Sequence, residues 1–172
     1  MLVTVLAVVA FAAFRGVTRD NDPTPVRTVD YQAVAKMARA DGRLTVAVPE
    51  ALPQGWKATS ATYARGAAPA WHLGMLTEDR KYVGIEESRA SIADLAREHV
   101  DPDAERGEDV TINGTAWQSW TDAGGDYAVG LALQATGRGN LGGTWLVVGT
   151  APEKEIRDLA GTLKGVNSLP TG

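Results

Sequence analysis

Twice along this chain, a series of strand-period segments ends in a capped amphipathic helix, and that arrangement leaves few folds open. The first series runs Leu44–Val48, Trp56–Tyr63, Ala70–Leu76 and Tyr82–Glu87. Ser91-x-x-Asp94 then opens a helix with Ile92, Leu95, Ala96 and His99 on one face. The second series runs Asp109–Ile112, Thr115–Thr121, Tyr127–Gln134 and Thr144–Gly149, and Thr150-x-x-Glu153 opens a helix carrying Ile156, Leu159, Ala160 and Leu163. Asn113-Gly114 is a two-residue hairpin signal. Ahead of both series, Asp30 caps a short helix with Tyr31, Val34, Ala35 and Ala38 on its apolar stripe, ended by Gly42. Strands joined by short turns pair antiparallel, and a helix with one apolar stripe must bury it on a sheet. The expected class is α+β, a mostly antiparallel sheet with amphipathic helices packed on one face.

A shift of 64 residues lays Trp56 on Trp120, Tyr63 on Tyr127, and Ile92, Leu95 and Ala96 on Ile156, Leu159 and Ala160. The same shift sets Asn113-Gly114 against Pro49-Glu50, which is no matching turn. A fold of two ββββα halves therefore stays open.

Leu2–Phe14 is apolar except for Thr4. As a helix it reaches about 20 Å, short of a hydrocarbon core about 30 Å thick. Its length suits the core of a secretory signal, with Ala10-Phe11-Ala12 as a small-x-small cleavage string, but no positive residue precedes it. Arg15 and Arg19 follow it, which by the positive-inside rule leaves the main domain in the cytoplasm. A buried core helix normally has a polar face, which this run lacks. A remaining reading makes residues 1–15 an N-terminally truncated membrane anchor. Residues 16–29 carry Pro23 and Pro25 without apolar periodicity and read as a linker. Residues 30–165 then form a single domain, with 166–172 as a tail.

Net charge is −4 and no basic patch appears, so nucleic acid is not an expected partner. Cysteine is absent, which excludes disulfides, thiolate catalysis and Cys-based zinc sites. No metal or other cofactor is expected. Gly137-x-Gly139-x-x-Gly142 matches a dinucleotide string, but a strand-like segment follows it where a helix is required. Asp101-x-Asp103-x-Glu105 opens like a calcium loop, yet Arg106 and Ile112 occupy the positions that need Gly and Glu.

Two histidines are present. His99 ends a helical stripe, where the helix dipole favours an imidazolium. His72 neighbours Trp71 in a strand, so the two point to opposite faces. A Ser–His–acid site can be assembled on paper from Ser88, His72 and Glu87, but no nucleophile-elbow string supports it. No residue is therefore assigned as catalytic. Trp56, Trp71 and Trp117, with His72, are the candidate ligand-binding residues, because exposed aromatic side chains dominate interface energetics. A core role for the same tryptophans stays open.

Pro49-x-x-Leu52-Pro53-x-Gly55-Trp56, Trp71-His72-Leu73-Gly74, Tyr82-Val83 with Glu87-Ser88, and Gly114-x-x-Trp117 resemble an uncharacterised actinobacterial family, domain of unknown function 4245. The late strand ending at Gly149 belongs to the same resemblance, which runs from Val29 to Lys164. It implies a single-pass membrane protein with a short cytoplasmic leader and an extracytoplasmic domain, and it implies no catalytic residues. The expectation is a membrane-anchored, non-enzymatic binding or scaffold module of the cell envelope, engaging a protein, lipid or polymer. The alternative is an envelope hydrolase with a site near His72 and Glu87.

Overall fold

The computed structural model describes residues 26–134 and 142–163. Helix α1 (Tyr31–Asp41) is followed by strands β1 (Lys57–Ala64), β2 (Ala70–Leu76) and β3 (Tyr82–Ser88), then helix α2 (Ile92–His99). Strands β4 (Glu105–Ile112), β5 (Thr115–Thr121), β6 (Tyr127–Leu133) and β7 (Gly143–Gly149) lead to helix α3 (Glu153–Thr162). All seven strands form one antiparallel sheet in the order β1-β2-β3-β7-β6-β5-β4. The expected α+β class and antiparallel sheet are what the chain builds.

Local chemistry explains most boundaries. Asp30 accepts a hydrogen bond from the Ala33 amide, and Gly42 closes α1 in the left-handed conformation. Ser91 caps α2 by accepting from the Asp94 amide, while its hydroxyl donates to the Asp94 carboxylate at 2.6 Å. Asn113 and Gly114 both take positive φ, as a two-residue hairpin turn with the sheet's twist requires. Thr150 does not cap α3. Its Oγ1 accepts from the Tyr82 amide at the end of the sheet, and α3 starts behind Pro152 without a side-chain cap.

Alternation divides the sheet into two faces. The larger buried cluster takes Trp71, Leu73 and Met75 from β2, Val83 and Ile85 from β3, and Val147 from β7, with Ala35 and Ala38 of α1 and Ile156, Leu159 and Ala160 of α3. The smaller cluster takes the intervening residues Leu146, Val148 and Ala128, together with Ile92, Leu95 and Ala96 of α2. The helices, expected together on one face, therefore divide two to one. Helix α2 seats closely on its face because Gly130 has no side chain. A Cβ there would sit 2.3 Å from Cγ2 of Ile92.

Leu44–Val48, expected as a strand, is buried but stays outside the sheet, with one bridge between Pro49 and Leu163 at its end. The reason is Glu87, only 1% exposed. Its carboxylate accepts from the Thr45 amide, the Thr45 hydroxyl and the Ala47 amide, each at 2.7 Å. Two amides two residues apart converge on one anion because Val46 between them has φ +58°. A β-branched residue pays about 1–3 kcal/mol for that conformation, against charge-assisted bonds each stronger than a neutral one. Trp71 and Trp145 flank Glu87 in register and donate to Ala47 O (2.9 Å) and Thr45 Oγ1 (3.1 Å). A side chain thus does the pairing that a neighbouring strand would do.

The two ββββα halves do not form. Three strands precede α2 and four lie between α2 and α3. The 64-residue overlay also sets the single strand β1 across the turn between β5 and β6.

Candidate functional site

On the α2 side of the sheet, register aligns side chains in two neighbouring rows. One row holds Thr62, His72, Glu86 and Leu146; the next holds Ser60, Gly74, Gly84 and Val148. Helix α2 packs on β6 and β7. Its C-terminal end reaches β3, where His99 faces Glu86. On this face Thr62 is exposed, while Ser60, His72, Leu76 and Tyr82 are half-buried.

A hydrogen-bonded chain crosses these three strands. Ser60 Oγ lies 2.8 Å from His72 Nε2, and His72 Nδ1 lies 2.6 Å from Glu86 Oε1. The second oxygen of Glu86 faces His99 Nε2 of α2 at 4.0 Å. Glu86 is 5% exposed, so its charge sits at the base of the chain and the hydroxyl at the accessible end. Gly74 makes the crossing possible. A Cβ there would lie 2.4 Å from Ser60 Oγ and 3.1 Å from His72 Nε2. An irregularity in β1 between Ala58 and Ser60 shifts the strand's phase and brings Ser60 onto this face.

Electrostatics follow the geometry. Burial pulls the His72 pKa down, but the hydrogen bond and charge of Glu86 outweigh it, and the net shift is upward. Burial and the nearby Glu86 charge push the Tyr82 phenol far above its ordinary range, so Tyr82 stays neutral.

The candidate residues from sequence do not share an exposed surface. Trp71 is 1% exposed and Trp117 is 4% exposed, both in the larger core cluster. Trp56 is half-buried against that same cluster. Met37, on α1, is the exposed large hydrophobic residue among those described. An aromatic patch built on Trp56, Trp71 and Trp117 is therefore not what these positions form. Of that set, His72 alone belongs to the polar chain. Its acidic partner is Glu86, whereas Glu87 points through the opposite face to residues 45 and 47. Ser88 accepts from the Ala90 amide at the edge of α2.

Other sequence signals resolve simply. Glu105–Ile112 is β4, so the acidic start at Asp101 does not continue as a calcium loop. Among the described residues no group of three or more histidine or acidic side chains is arranged to hold a metal ion. Most of the glycine string at 137–142 lies outside the described residues, and strand β7 follows it, so it opens no helix. The run Leu2–Phe14 also lies outside them. Among the described residues no helix is long and apolar enough to cross a membrane.

Two shallow depressions lie elsewhere. One, of about 370 Å³, is bordered by Lys81, Asp122, Tyr127 and Glu153; the other, of about 440 Å³, by Ile112, Asn113, Arg157 and Gly161. Neither is lined by Ser60, His72 or Glu86.

Ser60 and Glu86 were missed from sequence. The usable signal was glycine inside the strand segments Ala70–Leu76 and Tyr82–Glu87, which marks close approach of other atoms to the backbone.

The family model described as Protein of unknown function (DUF4245) matches residues 1–163. The chain belongs to that family. No curated protein matches it. Solved structures to which it is similar include the Pseudomonas aeruginosa MucA/MucB complex, at 18% identity, and MucB in complex with MucA(peri), at 17%. Each has a TM-score of 0.41 and covers 69% of this chain. The matches cover 34% and 36% of those chains, so this DUF4245 chain spans about a third of their length.

Proposed function

We propose that the domain is a binding or scaffold module of the cell envelope that meets its partner through the open face of β1–β3. The observation that carries this reading is the incomplete roof on the sheet. Helix α2 packs over β6 and β7, while Ser60, Thr62, His72 and Tyr82 present hydroxyl and imidazole groups beside it. Polar groups at an accessible face, with exposed Thr62 among them, offer a partner hydrogen-bonding atoms. This replaces the tryptophan surface expected from sequence. Residues 1–15 act in this reading as a membrane anchor and 16–29 as its tether, with the domain outside the cytoplasm. The apolar run Leu2–Phe14 and the proline-bearing segment behind it support an anchor and a tether, and the extracytoplasmic side is what the family resemblance implies.

The test is site-specific photo-crosslinking in native membranes. A photoreactive residue at Thr62 samples the open face, and one at Met37 samples an exposed position on α1. A discrete adduct from Thr62 that is weak or absent from Met37 is the expected result. Adducts from Met37 alone would move the recognition surface to the other side of the molecule.

A further inference from the structure

The hydroxyl–imidazole–carboxylate chain has a chemistry that recognition alone does not require. We propose that Ser60 is a nucleophilic serine, with His72 as its general base and Glu86 positioning His72, and that it reacts with uncharged carboxylic esters. This goes beyond the binding reading and does not rest on it.

Three observations carry the proposal. The two distances, 2.8 Å and 2.6 Å, fall in the range at which a base takes a proton from a hydroxyl and a third group orients the base. The groups come from three adjacent strands, so sheet register holds them rather than a loop. Gly74 leaves the space through which Ser60 and His72 meet. With Nδ1–H donating to Glu86, the lone pair of Nε2 faces the Ser60 hydroxyl, which is the tautomer a general base needs. The upward displacement of the His72 pKa fits a base paired to a buried carboxylate.

The substrate class follows from the surroundings. Glu86 and the net charge of −4 disfavour an anionic substrate. Leu76 and Tyr82, register partners on the same face beyond Gly74 and Gly84, offer apolar area for an acyl group. In the reaction Ser60 Oγ bonds to the carbonyl carbon, and its proton passes to His72 Nε2. The bond from that carbon to the alcohol oxygen breaks, and this oxygen takes the proton. Water then repeats the sequence on the acyl-serine, releasing a carboxylic acid and restoring Ser60. Nothing is oxidised or reduced. An open sheet face excludes water poorly, which weakens electrostatic stabilisation of the transition state. Covalent labelling is therefore a more sensitive readout than turnover.

The test treats the full chain with an uncharged alkyl fluorophosphonate and locates the adduct by mass spectrometry. One adduct at Ser60 is expected, with none in Ser60→Ala. The labelling rate should fall at least ~100-fold in His72→Gln, the scale of general-base assistance. The rate should rise with pH as His72 loses its proton, and Glu86→Gln should move that rise to lower pH, a displacement that a purely structural Glu86 would not produce. Gly74→Ala should abolish labelling while circular dichroism still reports a folded sheet. Should Gly74→Ala fail to fold, the His72→Gln rate and the pH profile decide. No adduct at Ser60 on the folded protein, or equal rates with and without His72, would overturn the proposal. Neither result would touch the crosslinking outcome at Thr62.

Discussion

Glu86 and Glu87 are neighbours in one strand, equally charged and both buried, yet they serve opposite sides of the sheet. Glu87 faces the side closed by α1, α3 and residues 44–48, where it accepts three hydrogen bonds from Thr45 and Ala47. Glu86 faces the side that α2 roofs only in part, where it meets His72 and His99. The difference shows how strand alternation turns one pair of identical residues into two devices. The inner carboxylate substitutes for a strand's backbone and holds a strained segment in place. The outer one polarises an accessible imidazole. A buried carboxylate is costly unless it is paired: Glu87 has both oxygens hydrogen-bonded, while Glu86 bonds His72 through Oε1 and faces His99 at 4.0 Å through Oε2.

The comparison breaks most readily at Glu87. Glu87→Ala leaves the Thr45 and Ala47 amides without their acceptor and should destabilise the domain by about 4 kcal/mol, read from urea denaturation. A loss under about 1 kcal/mol would mean that the carboxylate does not hold residues 44–48. Trp71→Phe removes the indole donor to Ala47 O while keeping most of the aromatic volume. It should cost about 1–2 kcal/mol by the same measurement.

On the open side the effects should be smaller and should depend on pH. His72 has its folded pKa raised above the ordinary value of 6.5. Its pairing with Glu86 therefore contributes stability that is complete below that ordinary value and is lost as pH rises through the raised folded value. Denaturation midpoints on either side of neutrality, compared with those of His72→Gln, check the sign. Glu86→Gln should lower the His72 titration midpoint in an NMR titration, at a stability cost of about 1 kcal/mol near neutral pH. An unmoved midpoint would detach His72 from Glu86. Met37→Gln, at an exposed position on α1, should change stability by less than about 0.5 kcal/mol and serves as the reference.

Much of the frame was legible because it is written in local chemistry. Turn residues such as Asn113-Gly114 and caps such as Asp30 and Ser91 act within a few residues, so their signals survive without tertiary information. Leu44–Val48 misled because its alternation is that of a strand, while its partner is a side chain at position 87. Thr150 misled because a strand-end amide competed successfully for its hydroxyl. The site was less legible than the fold. His72 was visible, but its partners depend on register across three strands and on an irregularity in β1 that changes which side Ser60 faces. Periodicity counts within one segment carry no information about either. The tryptophans drew attention by their rarity, and Trp71 and Trp145 turned out to spend their polar atoms on the strained segment rather than on a ligand.

The most direct measurement compares Glu86→Gln and Glu87→Gln in one crosslinking experiment, with the photoreactive residue at Thr62 and the folded fraction of each variant measured alongside. The expected result is a folded Glu86→Gln protein with a reduced adduct yield per folded molecule, and a Glu87→Gln protein whose yield falls only with its folded fraction. A Glu86→Gln protein with full yield, or one that fails to fold while Glu87→Gln remains stable, would contradict the division of the sheet into a closed structural face and an open functional one.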